Sequence, residues 1–152
     1  MRQMNVLVKP ASSLCNLKCS YCFYCDEAEN RNGGNASVMS AETAENLIRR
    51  VLDFCGEGSD ISFMFQGGEP LLAGIDYFRS FISTVNSLKD EKTTVNYSLQ
   101  TNGTLIDEAV MKWLSDVPPC RVNITLYGAS DETYQRLCGN PAGYSQATHA
   151  IT

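Results

Sequence analysis

The chain reads as an α/β protein in which four strand–helix units follow one another around a parallel sheet. Two observations predict this. Short runs rich in β-branched and aromatic residues alternate with longer segments whose apolar residues recur at helical spacing. The transitions carry Gly, Asn, Pro or a capping Ser or Asp. Alternation at this spacing favours parallel strands joined by right-handed crossovers. The length, 152 residues, is that of one domain, and an apolar share of 43 % is enough for a core.

The elements follow in order. Residues 4–9 are a short β-branched run and predict a strand. Residues 10–39 form a long polar loop that holds four of the seven cysteines, with Gly33-Gly34 as a flexible stretch. Ser40 is a plausible N-cap, and Ala44, Leu47, Ile48, Val51 and Leu52 mark the first helix. Gly56 and Gly58 stop it. Residues 61–66 alternate and predict the second strand; Ile75, Phe78, Ile82 and Val85 mark the second helix. Thr94–Thr101 predicts the third strand and 107–116 the third helix, with Val110, Trp113 and Leu114 as its stripe. Residues 121–126 predict a fourth strand, 130–137 a helical turn or two, and Gly143-Tyr144-Ser145-Gln146 the start of another helix.

Charge and hydropathy exclude several classes. A net charge of -5 argues against broad nucleic-acid binding, which needs a basic face. No apolar run approaches the ~18 residues of a membrane helix. The opening Met4-Asn5-Val6-Leu7-Val8 is too short for a signal peptide and is broken at once by Lys9-Pro10. A reducing cytoplasm is the default, and it suits free cysteines.

The chemistry concentrates in two motifs. Cys15, Cys19 and Cys22 form a C-x3-C-x2-C run after the first strand. Three thiolates can hold three corners of an iron–sulfur cube and leave the fourth iron open, whereas four-cysteine clusters are closed electron carriers. Gln66-Gly67-Gly68-Glu69-Pro70 follows the second strand and supplies bare backbone and one carboxylate. Zinc is the first rival, but there is no second C-x2-C pair and the lone His149 is far away. Cys19-Ser20-Tyr21-Cys22 and Cys22-Phe23-Tyr24-Cys25 each fit a redox C-x-x-C, yet two overlapping pairs fit it poorly. A disulfide framework needs an oxidising compartment, and seven cysteines is an odd count. An electron carrier stays open as a non-enzyme alternative, although it would have no need of the Gly-Gly-Glu-Pro turn.

The motif loops fall at consistent places: after strands one, two, three (Thr101-Asn102-Gly103) and four (Tyr127-Gly128-Ala129-Ser130). Active sites of parallel barrels and open α/β sheets lie at these carboxyl ends.

Cys15-Asn16-Leu17-Lys18-Cys19-Ser20-Tyr21-Cys22 with Gly67-Gly68-Glu69-Pro70 resembles the radical S-adenosylmethionine superfamily. Lys9-Pro10-Ala11-Ser12-Ser13, Phe23-Tyr24, Phe65-Gln66 and the run from Ser98 through Thr101-Asn102-Gly103 to Asp107 resemble anaerobic sulfatase-maturating enzymes. Thr125-Leu126-Tyr127-Gly128-Ala129-Ser130 departs from the Ser-Met-Asp-Gly-like turn usual there and is closer to other radical peptide-modifying enzymes. The resemblance implies a partial (β/α)6 TIM-like barrel, with about four βα units present, and a radical oxidoreductase.

The resemblance also implies roles. Cys15, Cys19 and Cys22 would ligate a 4Fe-4S cluster, and S-adenosyl-L-methionine would chelate its open iron. Reductive cleavage of that cofactor would yield a 5′-deoxyadenosyl radical for hydrogen abstraction. Tyr21 would lie beside the cluster and adenine. Gly68 would make main-chain contacts to the cofactor's amino group, and Glu69 would orient that turn. Thr125 would stand near the ribose or carboxylate, Arg136 would pair with the carboxylate, and Tyr24 and Gln66 would line the radical side. The substrate would be a Cys or Ser of a sulfatase, oxidised to formylglycine, and the electron donor a flavodoxin or ferredoxin. No nucleic-acid or membrane partner is implied.

Blander readings stand beside these. Tyr21 and Tyr24 can be rim aromatics, Gly67 and Gly68 a tight turn, Thr125 a strand residue and Arg136 a solvated helix residue. Cys55 reads as a small buried hydrophobe, and Cys120 and Cys138 as structural or incidental thiols. Cys25 is a possible alternative ligand. Residues 1–152 are expected to be a radical SAM core incomplete at the C-terminus, with the general base and auxiliary clusters in a missing part, and a truncated, catalytically inactive fragment is an alternative reading of the chain. An open four-stranded sheet of this kind is expected to expose an edge and an apolar face.

Overall fold

The computed structural model describes residues 2–24, 37–117 and 120–151. Cys25 and the Gly33-Gly34 stretch lie outside them. Four strands, β1 (Gln3–Val8), β2 (Asp60–Phe65), β3 (Thr94–Thr101) and β4 (Cys120–Ile124), form one sheet in the order β1-β2-β3-β4. Every neighbouring pair is parallel, with Val8 level with Phe65, Phe65 with Leu99, and Leu99 with Val122. Among the described residues five α-helices follow the strands: α1 (Ala41–Cys55), α2 (Ile75–Leu88), α3 (Glu108–Asp116), α4 (Asp131–Cys138) and α5 (Gly143–His149). The strand–helix alternation expected from the sequence is the observed order.

The caps explain the boundaries. Ser40 Oγ accepts from the Thr43 N–H at 3.1 Å, Asp107 Oδ1 from Val110 N–H at 2.8 Å, and Ser130 Oγ from Thr133 N–H at 3.3 Å. Gly56, at φ +75°, ends α1, and its N–H donates to the Leu52 carbonyl. A short 3₁₀ turn over Pro70–Ala73 precedes α2 and was not foreseen. Its Pro sits where a missing N–H costs nothing.

The core lies on one face of the sheet. Ile61, Phe63, Phe65, Tyr97 and Leu99 point from the strands toward Ile48 and Val51 of α1, Phe78, Phe81 and Val85 of α2, and Trp113 of α3. Phe65 meets Phe78 and Phe81 edge-to-face at centroid distances of 5.1 and 5.2 Å. Each such pair contributes about 0.5–1.5 kcal/mol beyond its area burial.

The other face overturns one expectation. It carries Asn5, Ser62, Asn96, Ser98, Arg121 and Asn123, with Met64 among them, and these line a cavity of about 770 Å³. The exposed face is therefore mainly polar, not apolar. Alternation within each strand is the reason: successive side chains point to opposite faces, and the outward set is polar apart from Leu7 and Met64. Among the described residues no helix is long and apolar enough to cross a membrane.

Candidate active site

Because all four strands run parallel, the four motif loops leave the same edge of the sheet. The cysteine loop is fixed there from two sides. Toward β2, Gln66 N–H donates to the Val8 carbonyl at 3.0 Å, Gly68 N–H to Ser12 at 3.0 Å and Glu69 N–H to Leu14 at 2.7 Å. Toward α4, Lys18 N–H donates to the Cys138 carbonyl at 3.0 Å and Ser20 N–H to Leu137 at 2.9 Å. The last carbonyls of a helix have no partner within it, and here the cysteine loop supplies one. Cys22 N–H closes on the Cys19 carbonyl at 3.1 Å.

The glycine pair makes this docking possible. Gly67 holds φ +123°, and a Cβ there would stand 2.6 Å from the Ser12 carbonyl oxygen. A Cβ on Gly68 would overlap the Leu14 carbonyl. With both Gly68 and Glu69 N–H groups bound inside the protein, the Gly68 carbonyl is left without a donor among the described residues. It suits a cationic N–H donor.

Glu69 is fully buried. Oε1 accepts from Leu71 N–H at 3.0 Å, Oε2 from Asn102 N–H at 2.8 Å, and both oxygens lie 2.9 Å from the Thr101 hydroxyl. Burial raises its carboxyl above the ordinary range, while the N–H groups of Asn102 and Leu71 and the Thr101 hydroxyl pull the other way. This carboxylate ties the turn after β2 to the end of β3; it faces protein and not an open site.

Asn102 carries the network to the cysteines. Its Oδ1 accepts from Thr104 N–H and Oγ1 at 2.9 and 2.7 Å. Its Nδ2 reaches Asn16 Oδ1 at 3.0 Å and Cys15 Sγ at 3.9 Å. Leu17 N–H donates to the same sulfur at 3.4 Å.

Cys15, Cys19 and Cys22 are free and half-buried. Burial pushes the Cys15 thiol up, with Glu69 and Cys22 adding to it. Burial, the adjoining Cys138 thiol and then Cys15 and Cys22 push Cys19 up to about 12. The sulfurs are thus near enough to oppose one another's ionisation, and a cationic centre among them reverses that sign. Among the described residues no three His, Cys, Asp or Glu side chains converge tightly enough for a single metal ion. The donor set that the loop offers is three thiolates, the ligand type of an iron–sulfur cluster.

The remaining expected residues divide. Gln66 is half-buried and leaves β2 on the polar face. Thr125 N–H pairs with the Thr101 carbonyl at 3.1 Å, and its Oγ1 accepts from Gln100 Nε2 at 2.6 Å. Tyr21 is 56 % exposed, its ring 6.0 Å from that of Tyr127. Tyr24 lies under the Lys9 ammonium, 4.6 Å from ring centroid to Nζ. Arg136 is exposed on α4 with no ion pair among the described residues. Cys55 is buried against Met4, as a small hydrophobe should be. Cys138, expected to be a structural or incidental thiol, lies against Cys19 at the end of α4. Sequence reasoning also passed over Asn16, Thr101 and Asn102 as site residues. The signal was there, since Thr101-Asn102-Gly103 follows a strand at the same rim as the cysteines.

Comparison with known proteins decides the family. The Radical SAM superfamily model matches residues 10–152. The chain belongs to the Radical SAM superfamily. It is 44 % identical over 116 residues to the Cysteine-type anaerobic sulfatase-maturating enzyme of Clostridium perfringens (strain 13 / Type A), covering 76 % of this chain and 31 % of that protein. The Serine-type anaerobic sulfatase-maturating enzyme of Klebsiella pneumoniae is 37 % identical over 106 residues, 69 % of this chain and 26 % of that one. The solved structure of native anSMEcpe with bound AdoMet superposes with a TM-score of 0.82 at 38 % identity, covering 97 % of this chain and 40 % of that one. The match spans between a quarter and a third of the length of these curated relatives. A superfamily that works with a 4Fe-4S cluster and S-adenosyl-L-methionine is the one the cysteine run and the Gly-Gly-Glu-Pro turn resembled.

Proposed function

We propose that this chain forms the cofactor-binding part of an anaerobic sulfatase-maturating radical oxidoreductase. The observation that carries the proposal is the pinning of Cys15, Cys19 and Cys22 at the carboxyl rim by the Gly67-Gly68-Glu69 turn, in a chain 44 % identical to a cysteine-type maturase. When bound, the cluster and S-adenosyl-L-methionine supply one-electron cleavage and a 5′-deoxyadenosyl radical. The protein residues hold, orient and shield. Cys15, Cys19 and Cys22 bind iron. The open Gly68 carbonyl accepts from the cofactor's ammonium, and Glu69 fixes the turn that presents it. Arg136, exposed beside the cysteine loop, pairs with the cofactor carboxylate. Tyr21 flanks the adenine, Thr125 the ribose, and Gln66 and Tyr24 line the radical side.

The substrate in this reading is a Cys or Ser side chain of a sulfatase peptide, oxidised to formylglycine. A flavodoxin or ferredoxin delivers the electron. The free thiols suit a reducing cytoplasm. One observation favours a second reading, a radical enzyme that modifies another peptide: the Thr125-Leu126-Tyr127-Gly128 turn departs from the maturase pattern.

Anaerobic reconstitution with iron and sulfide tests the proposal. About four irons and 4Fe-4S absorption are expected, lost on Cys15→Ala, Cys19→Ala or Cys22→Ala. Added S-adenosyl-L-methionine should change the paramagnetic resonance of the reduced cluster. Stoichiometric zinc without iron uptake would sink it.

A further inference from the structure

We infer that Asn102 is a positioning residue that sets the reduction potential of the cluster through an N–H···S contact to Cys15; the inference rests on the cluster reading above. The orientation of its amide is fixed by chemistry. Thr104 N–H can only donate, and it points at the Asn102 Oδ1 at 2.9 Å. The NH₂ must then face the other way, toward Asn16 Oδ1 at 3.0 Å and Cys15 Sγ at 3.9 Å.

The three cysteine sulfurs are not equivalent. Cys15 Sγ has two N–H donors, Leu17 at 3.4 Å and Asn102. Among the described residues none donates an N–H to Cys19 or Cys22 sulfur. Leu17 is a backbone donor that any sequence would supply; Asn102 is the donor a side chain adds. It is held there from below, because its own N–H is bound by the buried Glu69 carboxylate at 2.8 Å. Asn102 is only 4 % exposed. A dipole aimed at a thiolate acts strongly where water is excluded.

The sign follows. Reduction adds negative charge to the iron–thiolate unit, and an N–H dipole on a ligand sulfur stabilises the more negative state. Removing it should make the cluster harder to reduce. Asn102→Asp is the informative change. Its carboxylate still caps Thr104 N–H, so the loop keeps its turn, but the N–H donor is gone. Thr104→Val is the converse control. It weakens the cap and leaves the amide on Cys15.

The test is an anaerobic redox titration of the reconstituted full chain, followed by paramagnetic resonance. Asn102→Asp should lower the reduced-to-oxidised ratio at a fixed potential about tenfold, a shift of about 59 mV for one electron, while Thr104→Val keeps the parent value. Asn102→Asp also puts a negative charge beside the sulfur, which lowers the potential by itself, so the neutral Asn102→Ser, with a smaller cap, must shift it in the same direction; Asn102→Ser at the parent potential overturns the role. An independent measurement is pulsed resonance on the loaded Asn16→Asp chain carrying asparagine labelled with nitrogen-15 in its side-chain amide, which removes the other amide beside Cys15. It should show the Asn102 nitrogen coupled to the cluster. An iron-loaded Asn102→Asp at the parent potential, a parent-like apo Asn102→Asp that takes up no iron, or absent coupling each overturns the role of Asn102 alone. A parent chain that takes up no iron overturns this inference together with the cluster reading.

Discussion

Replacing Glu69 tests whether the turn after β2 is held by one buried carboxylate. The side chain accepts from two backbone N–H groups, Leu71 at 3.0 Å and Asn102 at 2.8 Å, and from the Thr101 hydroxyl. In Glu69→Gln one oxygen becomes an NH₂ that meets an N–H head-on. One buried donor is orphaned, at about 1–3 kcal/mol. In Glu69→Ala both are orphaned and a cavity is added, so roughly 3–5 kcal/mol is expected. Urea unfolding of the apo chain, read by the fluorescence of Trp113, measures both. The pH dependence has a definite sign. Burial raises the folded Glu69 pKa above the ordinary 4.5, so the native chain binds the proton more tightly than the unfolded one. Its contribution is fully present below the unfolded value and is lost as pH rises through the folded value. Glu69→Gln should therefore cost more at pH 4 than at pH 7. A Glu69→Ala chain within 0.5 kcal/mol of the parent, or a cost that grows with pH, refutes the reasoning.

Three further outcomes are expected. Gly68→Ala should lose about 1–3 kcal/mol and most of its iron loading, because the new methyl overlaps the Leu14 carbonyl; a variant that loads like the parent would contradict the docking role. Tyr97→Phe should unfold at equal or higher urea, by up to about 1 kcal/mol, since its buried hydroxyl has no hydrogen-bond partner among the described residues; a loss above that range would reveal one. The Cys19 thiol, pushed up to about 12, should react with iodoacetamide in the apo chain at pH 8 roughly a hundredfold more slowly than free cysteine, and faster as pH rises. Mass spectrometry of the alkylated peptide reads this, and labelling at the free-cysteine rate would remove the proposed crowding of thiols.

The strands and helices were legible because local signals agreed with the tertiary answer. Ser40, Asp107 and Ser130 cap the helices the periodicity marks, and Thr94–Thr101 is the third strand as read. The polar sheet face was misjudged although its residues were in view. Asn5, Asn96 and Asn123 stand at alternate positions in strands whose other face is Val6, Tyr97 and Val122, and a period of two says so directly. Cys138 and Asn102 are different. Cys138 meets Cys19 only because two helix-end carbonyls bind the cysteine loop, a contact across more than a hundred residues that no local pattern encodes.

That same long-range geometry revises what the Gly-Gly-Glu-Pro turn does. As a sequence it looks like a ligand-recognition motif. In the fold most of its groups face protein: Gly68 and Glu69 N–H bind the cysteine loop, and the Glu69 carboxylate binds β3 and the start of the Asn102 turn. The Gly68 carbonyl has no donor among the described residues. The motif is first a joint between three loops, and through Asn102 it reaches Cys15. A conservative change in the joint, such as Glu69→Gln, should therefore disturb the spectrum of the cluster even though its carboxylate touches no sulfur.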